Sequence, residues 1–240
     1  MTTAVIVQAR MGSNRLPGKV VQTVAGKPVL AHVLERCRGI KGCDAVVCAV
    51  PDEVESVALE SIAYTCGASV YRGSEQDVLA RYLGAAQMVG ADLVMRVTSD
   101  CPLIDPAVCD AVLNLHAYEG VDYATNNMPR SFPHGLDCEA FTTEALAQSD
   151  RETQEPYDRE HVTAWLRRAA HLKRANLDSG RRDLEWHRWT LDYPEDLAFF
   201  RAVFAALPSG STAAMDDVLA VLVAHPKLSD INASRRVDND

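Results

Sequence analysis

Ala4-Val5-Ile6-Val7-Gln8-Ala9-Arg10-Met11-Gly12-Ser13-Asn14-Arg15-Leu16-Pro17-Gly18-Lys19 is a short apolar run followed at once by a loop of glycines, proline and cations. The apolar part, Ala4 to Val7, reads as a buried strand, because nothing polar interrupts it to face water. Outward from it the same unit repeats. Pro28 to Cys37 carries Val29, Leu30, Val33 and Leu34 on one helical face. Ala45 to Val50 is a second strand run, Val54 to Cys66 a helix that Gly67 can end, and Ser69 to Tyr71 a third strand. Ser74 starts the next helix, with Asp77 three residues on as a capping-box variant, and that helix stops at Gly90. Leu93 to Val97 is a fourth strand, and Asp105-Pro106 opens a helix with proline at its first position. Strand and helix in alternation predict an α/β fold of three layers around a mostly parallel sheet.

The pattern loosens after Asp122. Gly135 to Phe141 and Trp186 to Leu191 read as strands, and Pro156 to Ala170 as a helix with a basic face. Pro194 to Leu207 and Met215 to Ala224 read as apolar helices. The 240 residues fit a single domain over 1–240, with 122–185 as an inserted β/α region and a polar tail, 229–240, expected to fray.

Composition narrows the partners. A formal net charge of -9 repels nucleic acid and anionic membrane, so neither is expected, while a local cluster of cations still admits a small anion. The seven cysteines are odd in number and none is spaced C-x-x-C, which argues for reduced thiols in a reducing cytosol. No charged segment precedes the opening apolar run, and no run approaches the roughly 18 residues of a membrane span. A cytoplasmic protein is the expectation.

Ligands of such sheets bind where the strands end at their carboxyl side. Three charged loops follow strands: Arg10 to Lys19, Arg72 to Asp77, and Thr98 to Asp105. In the first, Gly12 and Gly18 let backbone N–H groups approach an anion, Arg10 and Arg15 can fork onto phosphate oxygens, and Lys19 acts as a point charge. It is not a Walker loop, which has four residues between its glycines and Ser or Thr after the lysine. Here five residues separate Gly12 from Gly18, and Val20 follows Lys19. It lacks the G-x-G-x-x-G spacing too.

The run Gln8 to Lys19 closely resembles the opening signature of the cytidylyltransferases that make CMP-activated acidic sugars, the 3-deoxy-manno-octulosonate and acylneuraminate enzymes among them, and most of all the branch of spore-coat polysaccharide biosynthesis. The resemblance extends from about Ala4 to Leu207. It implies a Rossmann-like nucleotidyltransferase fold of the GT-A type and a magnesium-dependent enzyme that takes CTP and a small acidic acceptor, with homodimers as the usual state. It implies that Gln8, Ala9, Arg10, Gly12, Ser13, Arg15 and Lys19 hold the nucleotide, with Arg10, Arg15 and Lys19 acting on the triphosphate. Arg72-Gly73-Ser74-Glu75-Gln76-Asp77 also matches the branch, which puts Arg72, Ser74 and Asp77 near the base. Thr98 and Ser99, which precede Asp100, are implied to hold the nucleotide as well.

Asp100-Cys101-Pro102-Leu103 resembles the family's metal-binding Asp-x-Pro-Leu, and Asp192-Tyr193-Pro194-Glu195-Asp196-Leu197 its Asp-x-Pro-Glu-Asp-Leu. Asp100 and Asp192 are thus the expected magnesium ligands, although Asp192 also reads as a helix N-cap and Asp100 as a turn residue. Magnesium suits such a pair, since it often takes one or two protein carboxylates and completes its shell with phosphate and water. Pro133-His134-Gly135-Leu136-Asp137-Cys138-Glu139 resembles the branch pattern Pro-x-Gly-x-Asp-x-Glu, which would line the acceptor pocket with His134, Gly135, Asp137 and Glu139. Asn126, Asn127 and Arg130 lie just upstream. Arg159-Glu160-His161-Val162-Thr163 matches another branch motif and adds His161. The inserted 122–185 region would then serve the acceptor and the dimer. A UTP- or GTP-dependent nucleotidyltransferase would share the sheet and loop, and a glycosyltransferase of the same sheet would want an Asp-x-Asp motif, which Thr98 to Asp105 lacks. A non-catalytic scaffold would have no use for Arg10, Arg15, Lys19, Asp100 and Asp192 together.

Overall fold

The computed structural model describes residues 1–208 and 213–236. Its strands are β1 (Thr3–Gln8), β2 (Thr23–Val24), β3 (Lys27–Pro28), β4 (Ala45–Pro51), β5 (Ser69–Gly73), β6 (Leu93–Thr98), β7 (Tyr123–Thr125), β8 (Glu139–Thr142) and β9 (Arg174–Asn176). Its helices are α1 (Val29–Cys37), α2 (Val57–Thr65), α3 (Val78–Met88), α4 (Pro106–Glu119), α5 (Thr143–Glu152), α6 (Pro156–His161), α7 (Ala164–Arg168), α8 (Pro194–Ala206) and α9 (Met215–Ala224). The main sheet runs β5-β4-β1-β6-β8-β7-β9, and β2 and β3 form a separate hairpin. Within the main sheet β8 alone runs against the others.

The apolar strands are buried on both faces, as their unbroken runs predict. In β1, Val5 and Val7 pack with α1, α2, α4 and α8 on one side of the sheet. Ala4 and Ile6 face α3, α5 and α7 on the other. This alternation is the period of two of a strand, with both faces dry. Each crossover from β1 to β4, β4 to β5 and β5 back to β6 passes through a helix, so the carboxyl ends of these strands all open at one edge.

Helix starts follow from local chemistry. Asp105 caps α4 by accepting the Ala107 N–H at 2.7 Å, with Pro106 at the first position, and Gly120 ends the helix at φ 58°. α3 begins at Val78 rather than Ser74. Asp77 is its cap and accepts the Ala80 N–H at 3.0 Å, while Ser74 Oγ accepts the Asp77 N–H at 3.0 Å. The Ser74 hydroxyl thus fixes the loop before the helix, and the Asp77 carboxylate caps the first turn.

Two stretches depart from their expected form. Pro156 to Ala170 is broken into α6 and α7 by Val162, whose φ of 61° and ψ of -58° make it the centre of a three-residue turn closed by Thr163 N–H to His161 O at 2.6 Å. Trp186 to Leu191 joins no strand of the sheet. It makes a bridge between His134 and Arg188 only, with His134 N–H to His187 O at 2.9 Å and Trp189 N–H to His134 O at 2.6 Å. Residues 229–236, expected to fray, are pinned instead by Asn232, which is 1% exposed. Its Nδ2 donates to Arg188 O and to Asp196 Oδ1, each at 3.0 Å. The remaining residues of that expected tail, 237–240, lie outside the described residues.

Candidate active site

The loop Arg10 to Lys19 leaves the end of β1, and Gly18, at φ 62°, turns it into a single helical turn over Lys19–Val21. A left-handed residue is needed there because the turn sends Lys19 back under the loop toward the sheet. Lys19 Nζ then lies 2.6 Å from Asp100 Oδ2 and 2.9 Å from Asp192 Oδ1. The two expected metal ligands, 92 residues apart in the chain, thus meet on one cation.

The backbone explains how they meet. Asp100 lies just past β6, and its carbonyl accepts the N–H of Leu191 at 2.9 Å, which brings the following residue to the end of the sheet. Gly135 permits the approach. At φ 112°, an added Cβ would lie 2.1 Å from Trp189 O, so only glycine lets 187–191 pass over it. Arg188 is buried and holds the far side, with Nη2 3.0 Å from Asp192 Oδ2 and Nε 3.0 Å from Asp196 Oδ1. Arg15 completes the frame, 2.8 Å from Asp192 Oδ1.

Asp192 does not cap α8. The cap residue is Tyr193, and Asp196 in the first turn reaches back to accept the N–H groups of both Asp192 and Tyr193 at 3.0 Å. The Asp192 carboxylate is therefore left to the cations. Burial by itself would raise the Asp100 carboxyl, but the Lys19 charge and hydrogen bonds from Lys19 and Thr98 hold it down at about 2. Burial likewise works against the Lys19 ammonium, and the charges of Asp100 and Asp192 outweigh it and raise its pKa. Two ionised carboxylates on one ammonium are a fitting donor set for a hard divalent cation, with Lys19 Nζ marking a place for positive charge. Among the described residues no third His, Cys, Asp or Glu joins them. Remaining coordination positions would fall to phosphate oxygens and water.

A cleft of about 450 Å³ opens beside these groups. Of the residues expected to hold a nucleotide, Gln8, Ala9, Arg10, Gly12, Ser13, Arg15, Lys19, Thr98 and Ser99 line it, along with Asp100. His161, expected on the acceptor side, lines this same cleft with Glu160, held there by the turn at Val162. Ser74 and Asp77 line an adjoining cleft that shares Arg10 and Glu160. Arg72 stands apart from both: it pairs with Asp52 at 2.9 Å and with Glu60 on the outer side of β5.

The remaining acceptor candidates lie around the 126–139 loop. Asn126 is 1% exposed and uses its amide on the backbone, donating to Leu136 O at 2.8 Å and accepting from Cys138 N–H at 3.0 Å. Asp137 accepts from Gly135 N–H at 2.9 Å and from Arg130 Nε at 3.2 Å, and His134 Nε2 is 4.0 Å from it. Asn127 Oδ1 accepts from Thr125 Oγ1 at 3.0 Å and Arg167 Nη2 at 3.3 Å. Glu139 is deeply buried between Arg96 and Arg167, the latter at 2.6 Å, and accepts from Tyr123 Oη at 2.5 Å and Thr163 Oγ1 at 2.8 Å. Burial pushes its carboxyl up, yet the two guanidiniums bring it down to about 2. Arg96 also lines the cleft and reaches toward Gln8 Oε1 at 3.5 Å, so the buried Glu139 is linked to this cleft through Arg96.

Several participants gave no signal in the sequence. Arg81 and Arg96 sit inside elements read only for their apolar faces. Arg188 and Tyr193 lie beside a motif whose aspartate drew the attention. Arg15 Cζ is 5.0 Å and Arg235 Cζ 4.1 Å from the Tyr193 ring centre, a stack that the separation of positions 15, 193 and 235 conceals.

A family model described as Cytidylyltransferase matches residues 4–191. The chain is 29% identical over 228 residues to the spore coat polysaccharide biosynthesis protein SpsF of Bacillus subtilis, covering 92% of this chain and 94% of that one. It is 36% identical over 129 residues to a 3-deoxy-manno-octulosonate cytidylyltransferase of Anaeromyxobacter sp. (strain Fw109-5), covering 52% and 51%. It is also 33% identical over 161 residues to an uncharacterized protein of Methanocaldococcus jannaschii, covering 67% of this chain and 65% of that one. The chain thus spans 65% of the archaeal relative and about half of the octulosonate enzyme. Among solved structures, a cytidylyltransferase from Leptospira borgpetersenii superposes with a TM-score of 0.90 at 32% identity, covering 95% of this chain and 97% of that one.

Proposed function

The chain belongs to the cytidylyltransferase family, and from that premise we propose that it transfers CMP from CTP to a small acidic sugar or sugar-like acid, releasing pyrophosphate, in surface polysaccharide or related biosynthesis. The observation that carries this reading is the meeting of Asp100 and Asp192 on Lys19 at the head of the cleft. An anion loop alone would suit any phosphate. A pair of ionised carboxylates beside it suits a nucleoside triphosphate that arrives with a divalent cation.

Asp100 and Asp192 would hold Mg²⁺, which when bound lowers the pKa of an oxygen it touches and offsets phosphate charge. Arg10, Arg15 and Lys19 offset charge on the β and γ phosphates, and the loop amides around Gly12 and Ser13 take their oxygens. Lys19, which pairs with both carboxylates here, would turn to the phosphates where those carboxylates hold the ion. No covalent step falls to the protein: an acceptor oxygen attacks the α-phosphate and pyrophosphate departs, so positioning carries the rate.

The acidic acceptor is the finer part of the proposal. The relatives named for 3-deoxy-manno-octulosonate act on such an acid, and the Bacillus relative is named for polysaccharide biosynthesis. Arg130 and His134, at the rim of the 126–139 loop, are the groups here suited to meet a carboxylate. A cytoplasmic homodimer, with 122–185 at its interface, belongs to the same reading, and light scattering of the purified protein tests the dimer.

The deciding experiment follows pyrophosphate release with CTP, UTP, GTP and ATP against a panel of sugar acids in the presence of Mg²⁺. Release that requires CTP and an acidic sugar supports the proposal. Robust turnover with UTP or GTP and none with CTP overturns it.

A further inference from the structure

Arg15 lies in a loop with a glycine three residues to either side, and its side chain is 54% exposed. A long side chain in such a loop gives up rotamer freedom when it clamps an anion, so whatever steadies it beforehand decides how well it binds. Its carboxylate partner is shared: Arg15 and Lys19 both reach Asp192 Oδ1, and Arg188 holds Oδ2. Its other support is Tyr193. The hydroxyl of Tyr193 is 3.4 Å from Arg15 Nη1, and its ring centre is 5.0 Å from Arg15 Cζ.

Tyr193 is held in turn by a segment from far along the chain. Asn232 is anchored on Arg188 O and Asp196 Oδ1, and its own carbonyl accepts the Arg235 N–H at 3.0 Å, closing the single turn Ala233–Arg235. That turn brings Arg235 Cζ to 4.1 Å from the Tyr193 ring centre and Arg235 Nη2 to 3.1 Å from Glu195 Oε1. The ion pair contributes little, since both its partners are about a third exposed. The stack is the stronger contact: a planar guanidinium at this distance is drawn to the electron-rich face of the ring. Arg235 does not line the cleft that Arg15 lines, so whatever it does there passes through Tyr193.

We propose that Arg235 is a positioning residue for Arg15. Stacked on Tyr193, it fixes the ring on which the Arg15 guanidinium rests, so that Arg15 is already in place when a polyphosphate meets the Arg10 to Lys19 loop. The turn at Ala233–Arg235 thereby sets the strength of an anion site built from the first loop of the sheet. This assignment rests on the nucleotidyltransferase reading above, in that the loop takes phosphate.

Titration calorimetry with inorganic triphosphate, without added metal, reads the loop directly. Wild-type protein, Arg15→Ala, Arg235→Ala and the double variant are compared, and melting curves without ligand check folding. Arg15→Ala is expected to bind about 30-fold more weakly, the loss of one charged fork. Arg235→Ala is expected to bind about 5-fold more weakly, the loss of one cation–π stack. The double variant is expected to bind no more weakly than Arg15→Ala alone, because Arg235 then has nothing to position. Were Arg235 itself a phosphate ligand, the two losses would multiply. Were it a stabilising contact alone, melting would fall and the affinity of the folded protein would stay unchanged. Either result overturns the proposal. Arg235→Lys keeps the charge without the flat stack and is expected to lose affinity likewise, which carries the test should Arg235→Ala fail to fold. Wild-type protein and Arg15→Ala that bind triphosphate equally overturn the phosphate role of the loop, and with it the reading on which Arg235 depends.

Discussion

The N–H of Leu191 bonds to the carbonyl of Asp100 at 2.9 Å, and through that bond Asp100 and Asp192, the first residues of two motifs, share a site. Everything placed on Asp192 depends on this backbone contact, because the Asp192 side chain is not engaged in capping α8. The carboxylates are therefore the first target. Asp192→Asn and Asp100→Asn are each expected to weaken Mg²⁺-dependent CTP binding about 100-fold, the order seen when one charged contact of a metal–phosphate site is removed. Titration calorimetry with and without Mg²⁺ checks this. Metal-dependent binding that survives in both variants removes them from the metal site.

Gly135→Ala probes the same geometry from beneath. The added Cβ would lie 2.1 Å from Trp189 O, and φ of 112° disfavours any side chain. A loss of more than about 3 kcal/mol is expected from the combined clash and strain. Because 187–191 must lift away, Mg²⁺-dependent CTP binding falls together with the melting temperature. A variant that melts as wild type and binds CTP normally contradicts the backbone account.

Asn232→Ala removes two hydrogen bonds, to Arg188 O and Asp196 Oδ1, from a buried position. A cost of about 2 kcal/mol is expected. At roughly 2 to 4 °C per kcal/mol for a domain of this size, melting drops by about 4 to 8 °C in scanning calorimetry. An unchanged melting point places the support of Arg188 elsewhere.

Acid stability turns on Glu139. Its folded pKa of about 2 lies below the ordinary 4.5 because Arg96 and Arg167 outweigh its burial. The unfolded chain therefore takes up the proton first. The stabilisation, about 3 kcal/mol, is fully present above pH 4.5 and is lost as pH falls from there toward 2. Glu139→Gln lowers stability at pH 7, since it strands two guanidiniums, and flattens this acid limb in denaturant melts between pH 5 and pH 2.5. A limb of unchanged slope assigns the acid sensitivity to Asp100 and other carboxylates.

How much of this was legible depended on distance along the chain. The doubly buried strands and the loop after β1 were legible because their patterns are local: Ala4 to Val7 has no wet position, and Gly12, Arg15, Gly18 and Lys19 fall within eight residues. Asp100 and Asp192 were nameable from motifs, but no spacing rule says that Lys19 would join them. Asp192 also looked like a helix cap, and Asp196 four residues on, equally plausible by composition, is the carboxylate that reaches back to the N–H groups there. The strand expected over Trp186 to Leu191 failed because its apolar residues fill a crossing above Gly135 rather than a ladder. Arg72 drew notice through its motif, whereas Arg81, nine residues further on, faces the cleft from inside a helix whose apolar pattern hid it.

The pinning of Asn232 on Arg188 also sets an order of events during synthesis. β1, β4, β5 and β6 with their helices are complete once the first hundred or so residues have been made, and each crossover joins neighbours in the sheet. Lys19 and Asp100 are in place at that stage. Asp192 gains its full support only after residue 232 has left the ribosome, because the segment that holds Arg188 and Asp196 comes last. A nascent or truncated chain ending between residues 192 and 232 carries the anion loop and both carboxylates, but Arg188 and Asp196 lack the Asn232 contacts that steady them.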